Sequence, residues 1–264
     1  MTPTPFSHPF TRAIVALPGP SFAHGLTTRA LGAPALDVAV AQHARYCEAL
    51  GRAGLEVTVL PADPEHPDAT FVEDTAVVAA GLAVLCRPGA ASRRGEVARM
   101  REVLAARFPG LASIEPPGTL DGGDVCQVGR HFFIGLSART DAAGARELAR
   151  ALERAGYTAS TIDVRGWPDA LHLKSAVAWL GGTRLLVREA QAEEPAFAPF
   201  ERVIVPTREA YAANCLWLGR TVLVAAEHPV TEAKLRALGY AVEPLAMTEM
   251  EKMDGGLSCL SLRY

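Results

Sequence analysis

The feature of this sequence that most constrains its fold is a recurring unit: an amphipathic helix, a glycine, a short apolar strand, then two apolar runs separated by a turn. Apolar residues at helical spacing predict helices over 36–53, 95–108 and 141–155, closed by Gly54, Gly110 and Gly156 and followed by LEVTVLP, LASIEPP and YTASTIDV. A shorter copy covers 231–238, Gly239 and YAVEPLAM, and a less periodic one covers 196–202 before VIVPT. Hairpin-like pairs follow: EDTAVVAAGLAVL from Glu73, GGDVCQVGRHFFIG from Gly122, LKSAVAWLGGTRLLV from Leu173, and ANCLWLGRTVLVAA from Ala213. The final GGLSCLSLRY supplies one strand only, and its missing partner is read as FTRAIVAL near the start of the chain.

Recurrence at ~40–50 residues is the mark of repeat architecture, and radial repetition leaves only short sheet edges exposed. The expectation is an α/β chain of five units arranged as a ring, closed by its N- and C-terminal segments. An open α/β sandwich with coincidentally similar hairpins is the competing arrangement. A chain of 264 residues can bury a substantial core. Its Pro-rich stretches are too short for linkers, so residues 1–264 are read as a single catalytic domain.

Composition narrows the function classes. With a net charge of −3 and 21% charged residues the chain has the balance of an ordinary enzyme, better matched to a small cationic substrate than to nucleic acid. MTPTPFSHPFTRA lacks the pattern of a secretory leader, and no later apolar run approaches ~18 residues, so neither secretion nor a membrane partner is expected. The five cysteines are odd in number, widely spaced and free of CxxC pairs. They argue against a disulfide framework or a structural zinc site and for a reducing, cytoplasmic setting.

If the hairpins begin at the centre of the ring, their first residues converge: Glu73 and Asp74, Asp121 and Asp124, His172 with Lys174, Asn214 with Cys215, and Cys259 after Gly255–Gly256. Taken singly, Cys259 reads as a small buried hydrophobe and His172 as a histidine satisfying a backbone carbonyl. Together with acids they suit covalent chemistry. A free thiol has a pKa of ~8.5, so a nucleophilic cysteine needs a nearby base, cation or cationic substrate, and carboxylates would hold that cation and orient the histidine. Asp124 reads equally as a turn carboxylate. The adjacent pair Glu73–Asp74, just ahead of an apolar run, is costly to bury unpaired.

The stretches PDATFVEDTAVV, RPGAASRR, TLDGGDVCQVGRHFFIGLSART, LHLKSA, AANCLWL and EKMDGGLSCLS, spread over 67–261, resemble the dimethylarginine dimethylaminohydrolases. That family lies within the guanidino-group-modifying amidinotransferase superfamily, whose pentein-type fold is a five-bladed, pseudo-symmetric α/β propeller. The resemblance implies Cys259 of GGLSC as nucleophile, His172 of LHLKS as acid/base and Asp121 of DGGD, a position some relatives fill with glutamate, as the acid orienting His172. It implies Glu73 and Asp74 on the guanidinium, Asp68 at the substrate's backbone end, and Arg93 and Arg139 on its α-carboxylate. Leu26, in the loosely matching loop 18–28, stands at a lid position; by itself that loop reads as ordinary surface. His131 and Cys126 receive no catalytic role.

The implied reaction is hydrolysis of Nω-methylated arginine, asymmetric dimethylarginine or monomethylarginine, to citrulline and a methylamine through a covalent thiouronium on Cys259. It requires no cofactor and no metal; zinc on His172 and Cys259 would be inhibitory. The expected partner is the small-molecule substrate, with a homodimer left open. The alternatives are an arginine deiminase releasing ammonia or an amidinotransferase, both generally longer chains, and a non-catalytic propeller that binds an arginine-like ligand.

Overall fold

A computed structural model describes residues 10–264 and contains five three-stranded sheets. β1 (Arg12–Ala16) leads through α1 (Leu36–Arg52) to the parallel β2 (Glu56–Leu60). The second sheet holds β3 (Ala76–Ala79), β4 (Leu82–Leu85) and β5 (Ala112–Ser113), with α2 (Glu96–Ala105) ahead of β5. The third holds β6 (Val125–Val128), β7 (His131–Leu136) and β8 (Thr158–Asp163), with α3 (Ala142–Arg154). The fourth holds β9 (Val177–Trp179), β10 (Arg184–Arg188) and β11 (Glu201–Val205). The fifth holds β12 (Leu216–Leu218), β13 (Thr221–Ala225) and β14 (Ala241–Leu245), with α4 (Pro229–Ala237). After α5 (Thr248–Glu251), β15 (Leu262–Arg263) pairs antiparallel with β1, Ile14 opposite Leu262. The terminal segments thus complete the first sheet, as the repeat requires.

The middle strand of each sheet is apolar on both faces because both face protein. Along β1, Ala13 and Val15 pack toward the fifth sheet while Ile14 and Ala16 pack toward the second. Along β13, Leu223 and Ala225 face the first sheet and Val222 and Val224 face the fourth. Five apolar clusters fill the five seams between neighbouring sheets. Each fully buried aliphatic side chain in them stabilises the ring by ~1.5–3 kcal/mol. Helices α1, α3 and α4 end within a residue of where the periodicity predicts, while α2 stops at Ala105, short of the expected Phe108. Past α1, α3 and α4 the chain turns at Gly54, Gly156 and Gly239, with φ of 93°, 80° and 88°, and a backbone bond such as Leu55 N to Leu50 O closes the turn.

Two local expectations are corrected. The segment 196–202 is not an α-helix; Pro195–Phe197 forms a 3-10 turn and Glu201 already lies in β11, because Pro195 and Pro199 deny a helix its backbone donors. The hairpins also do not begin at their polar residues. A 3-10 turn precedes every innermost strand: Val72–Thr75, Gly122–Asp124, Leu173–Ser175, Thr207–Ala213 and Ser258–Leu260. Successive turns touch one another around the centre of the ring. Such short stretches of 3-10 helix, three or four residues in four of the turns and a kinked seven in Thr207–Ala213, carry no periodic signature.

Candidate active site

The turns bring the polar residues of all five units together. Asp121 and His172 are the residues just before two of the turns, Glu73 and Asp74 lie within a third, Asn214 ends a fourth and Cys259 lies in the fifth. One pocket is lined by Leu26, Asp68, Asp74, Arg93, Arg139, His172 and Cys259. Seven of the nine site residues read from the sequence are Leu26, Asp68, Asp74, Arg93, Arg139, His172 and Cys259, so the pocket gathers all but Asp121 and Glu73.

Asp121 stands directly behind the pocket. Fully buried, it accepts the Gly89 N–H at 2.9 Å and contacts His172 Nε2 at 3.1 Å through its other oxygen. Burial alone would lower the His172 pKa, but the carboxylates of Asp74, Asp124 and Asp121 outweigh it and raise the pKa to about 9. His172 is therefore an imidazolium at neutral pH. Asp124 acts as a tie within the scaffold: it accepts from Ser137 Oγ, Thr140 Oγ1 and Leu173 N, fixing the turn beside His172.

Asp74 is ionised despite its burial. His172 and Arg93 overcome desolvation and hold its pKa at about 2, while Gly123 N–H donates to Oδ1 at 2.8 Å. Cys259 shows the opposite balance. Burial, then the Glu73 and Asp74 charges, push its thiol up to about 12, and Gly256 N–H lies 3.4 Å from Sγ. The pocket thus holds a protonated thiol beside an ionised carboxylate.

Glu73 and Asp74 diverge, because adjacent residues in a 3-10 turn point in different directions. Glu73 accepts from Ser258 Oγ at 2.7 Å and pairs with Lys174 at 2.6 Å and Arg263 at 3.4 Å, lining a separate central pocket. Arg93 is also more committed than expected. Its guanidinium donates to Asp74, to both oxygens of Glu96 and to the carbonyls of Asp68 and Phe71. Arg139 remains less engaged, with Nη1 4.0 Å from Asp121. Asp68 binds the lid itself, accepting Leu26 N–H at 3.0 Å.

Sequence reasoning missed Phe71, Leu171, Met253, Asp254 and Gly255 in the pocket wall, and Ser258, whose N–H donates to Asn214 Oδ1 at 2.8 Å. Adjacency of Ser258 to Cys259 and of Leu171 to His172 was the available signal. Asp74, Asp121 and His172 offer ligand atoms within 4.8 Å of one another, close enough to hold a metal ion. Arg93 already occupies Asp74, and a metal would also have to displace the His172 proton.

Comparison with known proteins places this geometry. The sequence model of the family described as N,N dimethylarginine dimethylhydrolase, eukaryotic, matches residues 33–189. An N(G),N(G)-dimethylarginine dimethylaminohydrolase of Pseudomonas aeruginosa is 40% identical over 256 residues, covering 97% of this chain and 100% of that one. The chain belongs to the dimethylarginine dimethylaminohydrolase family. A second relative in this family, from Streptomyces coelicolor, is 37% identical over 259 residues and covers 97% of each chain. The structure of the Pseudomonas dimethylarginine dimethylaminohydrolase, as a cysteine-to-serine variant with citrulline, aligns at a TM-score of 0.93 with 39% identity over 97% of this chain and 99% of that one. A histidine-to-glycine variant, an adduct with S-methyl-L-thiocitrulline, aligns equally well, covering 97% and 100%. The fold is therefore the five-bladed α/β propeller of that family. Among the described residues no helix is long and apolar enough to cross a membrane, and all five cysteines are free thiols.

Proposed function

We propose that the chain hydrolyses Nω-methylated arginine to citrulline and a methylamine. The observation that carries this reading is one pocket lined by a protonated thiol, an imidazolium and an ionised carboxylate, Cys259, His172 and Asp74. The carboxylate binds the guanidinium, and the bound cation offsets the Glu73 and Asp74 charges that keep Cys259 protonated. The thiol proton is then released to solvent and the thiolate attacks the guanidinium carbon. His172 gives its proton to the departing methylamine as the carbon–nitrogen bond breaks, leaving a thiouronium on Cys259. Neutral His172 next takes a proton from water, the hydroxide adds to the same carbon, and the carbon–sulfur bond breaks to release citrulline.

Asp121 orients His172 through its Nε2 and stabilises the imidazolium. Arg139, aided by the remaining N–H of Arg93, binds the α-carboxylate, Asp68 receives the α-ammonium group, and Leu26 covers the bound molecule. Convergence of the turns ahead of the five innermost strands at the centre of the ring supports one catalytic domain, and the free thiols support a cytoplasmic setting. A homodimer belongs to the same proposal and is tested by sedimentation. The deciding experiment measures citrulline from asymmetric dimethylarginine, monomethylarginine and arginine in parallel, with a chelator present and the released amine identified. Dimethylamine from the first substrate supports the reading; ammonia from arginine alone replaces it with a deiminase.

A further inference from the structure

The lid is held in an unusual way. Among the described residues, 26–34 make no backbone-to-backbone hydrogen bond, so side chains alone fasten this stretch. Asp68 takes the Leu26 N–H, and Gly25 fits there because a Cβ would come within 2.4 Å of Asp68 Oδ1. Most of the remaining fastening falls on one residue. Asp254 accepts Thr28 N–H at 2.6 Å, Thr28 Oγ1–H at 2.9 Å and Arg29 Nε–H at 3.2 Å, with Thr27 Oγ1 adding a bond to the Lys252 carbonyl at 2.7 Å. The Asp254 side chain is only 9% exposed.

Asp254 also adopts φ of 58°, a left-handed conformation that residues with a side chain rarely take unless their surroundings impose it. Here the surroundings do: Asp254 N–H donates to Glu251 O, Gly255 N–H to Met250 O, and Tyr211 Oη–H to Gly255 O. Two residues after Asp254, Gly256 N–H points at Cys259 Sγ. We propose that Asp254 is a positioning residue for the reaction, a latch that closes the lid over the amino-acid end of the substrate from the same segment that carries the nucleophile. This rests on the hydrolase reading above.

The test compares Asp254→Asn with the unaltered protein on asymmetric dimethylarginine and on 2-chloroacetamidine, a small cationic alkylator that reaches Cys259 without an amino-acid end to be covered. Loss of the charged bond and weakening of its neighbours should lower kcat/KM for dimethylarginine about 10–100-fold, mainly through KM. The rate of Cys259 alkylation should stay within about twofold, and amide exchange over 26–34 should quicken. The lid-side pair Thr28→Val and Arg29→Ala should reproduce the effect and add little in the Asp254→Asn background, which keeps the test intact if Asp254→Asn fails to fold. Parallel loss of alkylation, full additivity or unchanged lid exchange would each overturn the latch. Exchange needs no substrate, so an unaltered protein that is alkylated but inert toward dimethylarginine would overturn the substrate reading instead.

Discussion

Cys259 should be nearly inert toward a neutral alkylating agent and disproportionately reactive toward a cationic one. With its thiol pushed to about 12, on the order of one molecule in 10⁵ carries the thiolate at pH 7. The causes are burial and the charges of Glu73 and Asp74, and a guanidinium or amidinium seated on Asp74 counters both acids. A unit charge ~4 Å from sulfur at an effective dielectric of ~20 is worth ~4 kcal/mol, enough to bring the thiol from about 12 to near ~9. Inactivation by iodoacetamide, followed as modified Cys259 peptide, should therefore rise about tenfold per pH unit from pH 6 to 9 without levelling. The amidinium reagent should gain a factor of ~10³ at pH 7 over its reactivity toward a simple thiol, relative to the same ratio for iodoacetamide. A neutral-reagent profile that plateaus near pH 7, or identical profiles for both reagents, would refute the electrostatic argument.

Three further outcomes follow from the site. The folded pKa of His172, about 9, lies above its ordinary 6.5, so the stability it contributes is complete below pH 6.5 and is lost as pH rises through 9, by about 3 kcal/mol; denaturant titrations across that range should show the loss, and His172→Asn should flatten it. Asp121→Asn removes the carboxylate 3.1 Å from Nε2 and should lower the His172 pKa by about one pH unit, moving the basic limb of kcat by that amount while leaving KM nearly constant. Glu73→Gln strands Lys174 and Arg263 and should cost about 3 kcal/mol of folding stability with little change in KM; an unchanged unfolding midpoint with weakened substrate binding would return Glu73 to the guanidinium.

What the sequence by itself determined was the periodic part of the protein. Helix-spaced apolar residues followed by a glycine located α1 to α4, and uninterrupted apolar runs such as TVLVA announced strands, because those signals are local. Recurrence then implied the ring, and FTRAIVAL with GGLSCLSLRY implied its closure. The catalytic motifs were legible as a resemblance because GGLSC, LHLKS and DGGD keep their polar residues next to recognisable strands.

Tertiary structure alone decided how those residues are used. Glu73 and Asp74 are sequence neighbours with the same chemistry, and only the 3-10 turn beneath them sends one to Lys174 and Arg263 and the other to the pocket. Arg93 reads as a substrate-binding arginine, and only the fold shows that Glu96, one turn along, and Asp74, 19 residues back, take most of its donors. Asp254 carries no sequence signal for its contacts, since Thr28 and Arg29 lie more than two hundred residues away along the chain. Charge state is decided in the same way: desolvation and neighbouring charge act through space, so an imidazolium at His172 and a protonated thiol at Cys259 exist only once four separate turns have been brought to one centre.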